Sequence, residues 1–258
     1  MAKKLFAAAL LVSAAIATSP GVQAQAPNQS NVNPKVFGKT YGEWSAEWWK
    51  WAFSVPADKN PVVDPNGEFC DENQPDGKVW FLAGSFGVPN VQRKCTIPRN
   101  RALFYPLVNT TWIDCPGTTD ETTPDDEVRS ILARFTAAGD NACQLRSTLD
   151  GVDVSSLQIL TVRTQSPNFT ITLPEINIAS AFCNPALPAG ETGRAISEGY
   201  WIMLPPLSPG KHVLTLHGAG CSPTEKDPAV LDRFFETGVT YELIVRDRGK
   251  EDDHGKED

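Results

Sequence analysis

The segment YGEWSAEWWKWAFSVP, residues Tyr41–Pro56, decides the fold of this chain, because it places four of the seven tryptophans within a short stretch. Thr40, directly before it, and Glu43 form a T-x-x-E capping box, in which each side chain satisfies a backbone N–H group at the start of a helix. A helix does not continue through a proline such as Pro56. The sequence therefore predicts a helix over residues 40–55.

The predicted helix has an unusually wide apolar surface. Trp49 and Phe53 extend this surface beyond half of the circumference, while a narrow polar stripe remains on the other side. One buried aromatic side chain contributes roughly 4–6 kcal/mol at about 25 cal/mol per Å². We therefore expect most of the rings to pack on a sheet, with Trp49 and Phe53 left for a second layer, a partner or a ligand, and Trp49 as the exposed ring. The residues of the central apolar face are Tyr41, Trp44, Trp48, Trp51, Ala52 and Val55.

The rest of the chain consists mainly of short β-type runs separated by Gly, Pro or Asn. Asp150-Gly151 predicts a tight turn, and a second helix is predicted over Pro124–Ala138, with Thr123 as its cap. The pattern predicts a mainly β fold, an antiparallel β-sandwich with Greek-key or jelly-roll connections, a Trp-rich N-terminal helix and one further short helix. The predicted strands are Lys78–Ala83, Arg93–Ile97, Arg101–Val108, Leu157–Arg163, Asn168–Leu173, Gly199–Leu204, Lys211–Leu216 and Val239–Arg246.

The N-terminus has the features of a secretory signal peptide. Lys3 and Lys4 precede an apolar run, and Val22-Gln23-Ala24 provides small residues at a cleavage site. The run is too short to span a bilayer well, and no later stretch is long and apolar enough to do so. We predict a signal peptide at 1–24, a flexible lead-in at 25–38, one sandwich domain at 39–246 and a disordered charged tail at 247–258.

Charge narrows the range of partners. The formal net charge of the chain is −8, and loss of Lys3 and Lys4 with the leader changes it to −10. Such an acidic chain is not expected to bind nucleic acid or anionic membranes. We expect an exported protein, secreted or periplasmic, without a transmembrane segment.

Six cysteines form an even set in a chain that is predicted to be exported, so disulfides are the expected state. Several pairings are formally open, and the adopted interpretation joins sequence neighbours: Cys70–Cys95, Cys115–Cys143 and Cys183–Cys221. Metal binding is not expected, because the chain contains no C-x-x-C motif and only three histidines, His212, His217 and His254. No cofactor is predicted.

Several segments carry a family resemblance. Besides the tryptophan segment they are GKVWFLAGSFG (77–87), CTIPRNRALFYPLVN (95–109), STLDGVDV (147–154) and GYWIMLPPLSPGKH (199–212). Together they resemble a family of uncharacterised secreted bacterial proteins with a Trp-rich N-terminal helix and a β-sandwich body. The resemblance implies this architecture and export, and it supplies no catalytic residue. Residues 114–141 and the tail after Arg246 lie outside the resemblance.

Two classes of function are compatible with the sequence. The first is a binding or interaction module, in which Trp49, Phe53, Trp80 and Trp201 contact a glycan, an apolar ligand or a protein. The second is a carbohydrate-active hydrolase or lyase with two carboxylates in an aromatic-lined groove. The sequence does not decide whether the protein is an enzyme, and we favour the binding module.

No catalytic residue is assigned from the sequence. Glu43 and Glu47 lie one turn apart, but a helix cap for Glu43 and a pairing of Glu47 with Lys50 are the simpler roles. The chain has no G-x-S-x-G motif, and its cysteines are expected to be oxidised, so acyl transfer has little support. The other carboxylates considered for an acid/base pair are Asp64, Glu68, Asp114, Asp153, Glu175 and Glu198.

Overall fold

The structure is a computed structural model that describes residues 35–137, 145–157, 161–223 and 231–246. All of them belong to one compact unit. The predicted signal peptide, the lead-in up to residue 34, Cys143 and the charged tail lie outside the described residues.

Strands predominate in the described part of the chain, which confirms the predicted mainly β fold. They are β1 Lys35–Val36, β2 Lys39–Thr40, β3 Val79–Phe81, β4 Val91–Pro98, β5 Ala102–Ile113, β6 Arg146–Leu149, β7 Val152–Asp153, β8 Thr161–Gln165, β9 Thr172–Leu173, β10 Gly190–Glu191, β11 Ala195–Leu204, β12 Gly210–Pro223 and β13 Leu231–Arg246. The helices are α1 Tyr41–Ser54 and α2 Asp125–Ala137, with short 3₁₀ turns at Ala57–Lys59, Thr119–Thr122 and Ile178–Ala181.

Two sheets form the body of the fold. One has four strands in the order β3-β5-β11-β8, and the other has five in the order β4-β13-β12-β6-β7. Most pairs are antiparallel, as predicted, but β3 pairs with β5 and β4 pairs with β13 in parallel. The sheets are therefore mixed. The Greek-key or jelly-roll connection remains a prediction.

Alternating side chains of the long strands join the two sheets into a common core. Leu103 and Ile202 of the four-stranded sheet share a buried cluster with Leu216 and Leu243 of the five-stranded sheet. The Tyr105 hydroxyl also forms a 2.9 Å hydrogen bond with Ser147 Oγ across the two sheets. Burial raises the pKa of Tyr105, so this hydroxyl stays protonated.

Helix α1 covers the other face of the four-stranded sheet, as the tryptophan pattern predicted. Its capping box is present: Thr40 N–H donates to Glu43 Oε2 at 2.6 Å, and Glu43 N–H donates to Thr40 Oγ1 at 3.2 Å. Trp48 and Trp51 pack with Phe104 and Trp201 of the sheet in a second buried cluster. The molecule therefore has a helix layer and two sheet layers in this region.

Helix α2 packs against the long strands β5 and β11 near Trp112 and Ile196. Val128 and Leu132 contact Ile196, with Trp112 partly buried beside them. This apolar contact is small, and polar contacts supplement it. Arg129, for example, donates to the carbonyl of Ser166 at 2.8 Å.

Two local predictions need correction. Residues 35–38 were assigned to the flexible lead-in, but they form the start of a β1–β2 hairpin, turned by positive φ at Phe37 and Gly38. Trp44 holds this hairpin, because its indole N–H donates to the carbonyl of Val36 at 2.7 Å. The strand predicted over Asn168–Leu173 is reduced to β9 and one isolated bridge.

Disulfide pairing was predicted correctly for one bridge only. Cys70 bonds Cys95, but Cys115 bonds Cys183, so Cys115–Cys143 and Cys183–Cys221 are wrong. The structural reason is that β11 pairs with β5, with Ala195 opposite Ile113. This pairing brings the segment before β11, which contains Cys183, beside the end of β5, which Cys115 follows. The separation of two cysteines in the sequence does not indicate which segments the sheet brings together.

Within the described ranges, no helix is long and apolar enough to cross a membrane.

Candidate functional site

A cavity of about 360 Å³ lies between α1, the end of the four-stranded sheet and the β12–β13 hairpin. This volume is within the range of small-molecule sites. Its wall is composed of Trp48, Trp49, Phe53, Val62, Gly84, Ser85, Phe86, Gly87, Pro106, Leu107, Asn109, Thr110, Thr111, Ile178, Phe182, Phe235 and Thr237.

Six aromatic rings from four segments line the cavity, and five of them form a continuous series of contacts. Trp48 and Trp49 meet at 5.1 Å with nearly perpendicular planes, and Trp49 meets Phe53 at 5.0 Å. Phe53 then meets Phe182 at 5.7 Å, and Phe182 meets Phe86 at the same distance. Such edge-to-face and tilted arrangements are the favourable geometries of aromatic pairs.

Phe86 and Phe182 also form the exposed part of the site. Their side chains remain 48% and 39% exposed, although burial of an aromatic ring is favourable. Gly87, beside Phe86, has a positive φ, and a Cβ there would lie 3.7 Å from Phe235 Cε2. The loop after β3 therefore lies next to the β12–β13 hairpin, and the exposed rings of Phe86 and Phe182 mark the opening of the cavity.

A β-bulge in β5 changes which of its residues face α1. Tyr200 pairs with Val108 and Trp201 pairs with Pro106, so Leu107 between them has no partner. The extra residue reverses the alternation of side chains. Even-numbered residues such as Phe104 face α1 before the bulge, and odd-numbered residues such as Asn109 face that side after it.

The hydroxyl groups of the wall are largely engaged within the protein. Thr237 donates to the carbonyl of Ser85 at 2.8 Å, and Ser85 donates to the carbonyl of Val88. Thr111 donates to the carbonyl of Ile196 at 3.1 Å.

Two buried N–H groups of the wall have no acceptor within the described ranges: Trp49 Nε1 and Asn109 Nδ2. The other tryptophans of α1 each donate to a backbone carbonyl, Trp44 to Val36, Trp48 to Leu82 and Trp51 to Glu72. A buried polar group without a partner costs about 1–3 kcal/mol. No residue of the wall is charged.

The cavity brings together two of the four aromatic residues that were predicted to contact a ligand. Trp49 and Phe53 line it, although Trp49 is only 6% exposed, so the prediction of a surface ring at Trp49 was wrong. Trp201 is fully buried and stacks on Phe104 at 5.1 Å. Trp80 lies in the core between the sheets, with the Arg101 guanidinium 5.1 Å from its ring. The Nε1 atoms of Trp80 and Trp201 likewise have no acceptor among the described residues, but neither ring lines the cavity.

Sequence reasoning missed the other rings and Asn109. Phe86, Phe182 and Phe235 come from three distant segments, and only folding brings them together. One signal was available: Pro106 inside a predicted strand is typical of an edge or a bulge. Likewise, Gly84 and Gly87, which flank Ser85 and Phe86, indicate a turn that exposes the ring of Phe86.

The two glutamates of α1 have the structural roles that were predicted. The pKa of Glu43 is lowered, chiefly because it accepts the backbone N–H of Thr40. Glu47 forms ion pairs with Lys39 at 3.2 Å and Lys50 at 3.3 Å. Neither glutamate lines the cavity.

Three of the other candidate carboxylates are buried, and each is held by donors. Asp64 accepts backbone N–H groups of its own loop, including that of Gly67 at 2.9 Å. Asp114 is bonded by Arg194 at 2.9 Å, and Glu198 lies 2.9 Å from Arg163. Of the remaining three, Asp153 accepts hydrogen bonds from Ser155, which lower its pKa, and Glu68 and Glu175 are exposed. None of the six lines the cavity.

His212 lies between an aspartate and a serine, an arrangement that resembles a catalytic triad. Its Nδ1 is 2.7 Å from Asp150 Oδ2, but its Nε2 is closer to the carbonyl oxygen of Ser208, at 2.9 Å, than to Ser208 Oγ, at 3.3 Å. An N–H that donates to a carbonyl cannot accept a proton from the hydroxyl. The pKa of His212 is raised, chiefly by the hydrogen bond with Asp150. His212 therefore links the turn at Asp150 to the segment at Ser208, and this geometry does not suit a general base.

Nothing in the described ranges groups three or more His, Cys, Asp or Glu side chains closely enough to hold a metal ion. Comparison of the chain with protein-family models, curated proteins and solved structures finds no match. The site is therefore interpreted from its own geometry.

Proposed function

We propose that this protein is an exported binding protein whose ligand is a small apolar molecule held in the cavity beside α1. The carrying observation is a wall of six aromatic rings without a charged side chain around about 360 Å³. That volume is roughly twice that of a cavity of about 150 Å³ that binds benzene. The cavity is therefore large enough for a molecule of about two fused rings.

The wall favours an apolar ligand over a glycan. A sugar presents many hydroxyl groups, and each that loses water needs a hydrogen-bonding partner in the site. Ser85, Thr111 and Thr237 already donate their hydroxyl protons to carbonyls of the protein. An apolar ligand needs few such partners, because its affinity comes from the surface that it removes from water.

The alternative, a carbohydrate-active hydrolase or lyase, finds less support at this site. Glycoside hydrolysis commonly needs two carboxylates that flank the bond to be cleaved. The cavity wall contains no carboxylate, and the buried carboxylates Asp64, Asp114 and Glu198 are bonded elsewhere. We therefore place the binding function first.

Export is part of the proposal. The leader at 1–24 has the pattern of a signal peptide, and two disulfides are compatible with an oxidising compartment. We propose that the mature chain, from about Gln25 onward, functions in the periplasm or outside the cell. We also propose membership of the secreted bacterial family that the tryptophan segment and the four other motifs resemble.

A fluorescence titration tests the binding function. The uncharged dye N-phenyl-1-naphthylamine is added to the mature protein, and we expect a saturable increase in emission as the dye leaves water. The double substitution Phe86→Ser/Phe182→Ser removes both exposed rings of the opening. Because an aromatic contact contributes about 0.5–1.5 kcal/mol, we expect about tenfold weaker binding, at 1.4 kcal/mol per factor of ten.

Phe37→Ser is the matched control, since Phe37 is 46% exposed, much like Phe86, and does not line the cavity. It should bind the dye as the unmodified protein does. Equal losses in both variants, or the absence of saturable binding, would contradict the proposal. Release of reducing ends from polysaccharides would support the alternative, and binding on a glycan array without release would favour a glycan over an apolar ligand.

A further inference from the structure

We infer that the cavity selects an uncharged aromatic ligand that carries one hydrogen-bond acceptor, and that Asn109 recognises this acceptor. The inference rests on the proposed binding function and names the chemistry of its ligand. It depends on the charge of the wall, the arrangement of its rings and the unpaired amide of Asn109.

The absence of charge from the wall excludes an ionic ligand. Burial of a carboxylate or an ammonium without a partner of opposite charge is strongly unfavourable. The ion pairs next to α1, Glu47 with Lys39 and Lys50, lie outside the cavity wall. Only a neutral ligand can therefore enter the cavity without leaving an uncompensated buried charge.

The rings of the wall favour an aromatic partner. Five of them form a series of edge-to-face and tilted contacts from Trp48 to Phe86. A ligand ring can extend this series in the same geometries, which add to the gain from burial alone. A flexible alkyl chain would gain only the burial and would lose rotational freedom on binding.

Because the ring of Trp49, the other wall residue with an unpaired N–H group, is packed against Trp48 and Phe53, Asn109 supplies the polar contact that can adjust to a ligand. It lines the cavity, and its Nδ2 is buried without an acceptor among the described residues. The terminal torsion of an asparagine is broad, so its amide can turn toward the cavity at low cost. A carbonyl or ether oxygen on the ligand would then accept a hydrogen bond that the protein alone does not provide.

The β-bulge explains why this amide is available. Leu107 has no partner on β11, and the alternation after it turns Asn109 toward α1. On the other strand, Gly199 pairs with Asn109, and a Cβ at Gly199 would lie 2.8 Å from Asn109 Cβ. Bulges are frequent next to functional sites, where they redirect a side chain.

Three ligands of nearly equal size test the inference by displacement of N-phenyl-1-naphthylamine. 2-Acetylnaphthalene carries a carbonyl acceptor, 2-isopropylnaphthalene has the same shape without it, and 2-naphthoate is an anion. We expect the two neutral compounds to displace the dye and the anion to do so at least tenfold more weakly. Equal displacement by 2-naphthoate would overturn the requirement for a neutral ligand.

Asn109→Leu tests the role of the amide, because leucine has a similar size and no hydrogen-bonding group. The ratio of the affinities for the acetyl and isopropyl compounds is compared between the two proteins, so that differences in hydration of the ligands cancel. One hydrogen bond to a buried donor predicts that this ratio falls about tenfold in the variant. An unchanged ratio would overturn the role of Asn109.

A second measurement does not depend on a variant that folds. In the unmodified protein labelled with ¹⁵N, the side-chain amide resonance of Asn109 should shift on addition of 2-acetylnaphthalene and much less on addition of 2-isopropylnaphthalene. Equal shifts with both compounds would contradict the inference while leaving the proposed function intact. Failure of the dye and of all three compounds to bind would contradict the proposed function itself.

Discussion

At the scale of single residues, the four tryptophans of α1 differ in the use of the indole N–H group. Three of them donate to carbonyls of separate segments and so fix those segments on the helix. Trp49 donates to no acceptor within the described ranges, and its ring lines the cavity. Of the four indole N–H groups of α1, the one without an acceptor among the described residues thus belongs to a ring in the cavity wall.

The Asp150–His212 pair gives a prediction on pH. The pKa of His212 is raised above 6.5, and that of Asp150 is lowered below 3.8, in each case chiefly by the hydrogen bond between them. The contribution of His212 is therefore fully present below its unfolded pKa and is lost as the pH rises through its folded value. The contribution of Asp150 is present above its unfolded pKa and is lost as the pH falls through its folded value.

We expect the pair to stabilise the fold fully between about pH 4 and about pH 6.5, and to lose this effect as the pH rises through the raised pKa of His212 or falls through the lowered pKa of Asp150. Urea unfolding at several pH values should show the unmodified protein losing stability relative to His212→Asn as the pH rises from 6 to 8. Asp150→Asn is the control, because it removes the partner and should remove most of this difference. A difference that stays constant across this range would contradict the prediction.

At the scale of elements, the approach of α1 to the four-stranded sheet depends on one glycine. A Cβ at Gly42 would lie 2.3 Å from the carbonyl oxygen of Gln165 in β8. Ser45, one turn further, is fully buried and forms a 3.1 Å hydrogen bond with Ser197 of β11. The first turn of the helix therefore lies against backbone, with no room for a side chain at Gly42.

Gly42→Ala tests this contact, because the two relevant effects have opposite signs. In an exposed helix alanine is favoured over glycine by about 1 kcal/mol, whereas overpacking against backbone costs about 1–3 kcal/mol. A contact of 2.3 Å requires the helix to move, so we expect a net loss of roughly 1–2 kcal/mol in the free energy of unfolding. Lys50→Ala, on the polar stripe, should change this quantity by less than about 0.5 kcal/mol. A gain in stability with Gly42→Ala would show that the contact is loose.

Elements with strong local signals were predicted well from the sequence. The capping box and Pro56 placed α1 within one residue of its observed bounds, and Asp150-Gly151 turns the β6–β7 hairpin with two positive φ values. Local chemistry determines these features, since the residues that form them are neighbours in the chain. The extents of β12 and β13 were underestimated, because their outer parts pair only with each other within the described ranges.

The candidate site was predicted only in part, for the same reason. Trp49 and Phe53 could be singled out because an apolar arc that is too wide for one sheet is visible in the sequence of α1. Phe86, Phe182 and Asn109 could not, because their positions depend on a loop, a 3₁₀ turn and a bulge that meet only in the folded chain.

At the scale of the whole molecule, the two described disulfides constrain loops of different length. Cys115–Cys183 spans 68 residues and Cys70–Cys95 spans 25. In the loop-closure model they contribute about 4.4 and 3.5 kcal/mol respectively. We expect Cys115→Ala/Cys183→Ala to lower the free energy of unfolding by more than Cys70→Ala/Cys95→Ala, as measured by urea denaturation. The reverse order would contradict a loop-entropy origin.

A peptide map without reduction checks the connectivity itself. It should contain one species that joins the peptides of Cys115 and Cys183. A species that joins Cys115 to Cys143 would contradict the observed bridge.

The Cys115–Cys183 bridge also relates the site to the rest of the molecule. Cys183 directly follows Phe182, whose ring contacts Phe53 and Phe86. The bridge thereby fixes one side of the opening to the end of β5, the strand that carries Asn109. A cavity formed by such distant segments depends on the integrity of the whole fold.

The sequence by itself determined the helix α1, its cap, the tight turns, the mainly β character and the expectation of oxidised cysteines, because each follows from residues close together in the chain. Tertiary structure alone decided the parallel edge strands, the partner of Cys115 and the position of Trp49 beneath the surface. It also assembled the cavity, whose wall comes from residues 48 to 237. The physical reason is that these features are set by which surfaces must be buried against each other, and that choice is made only when all layers pack together.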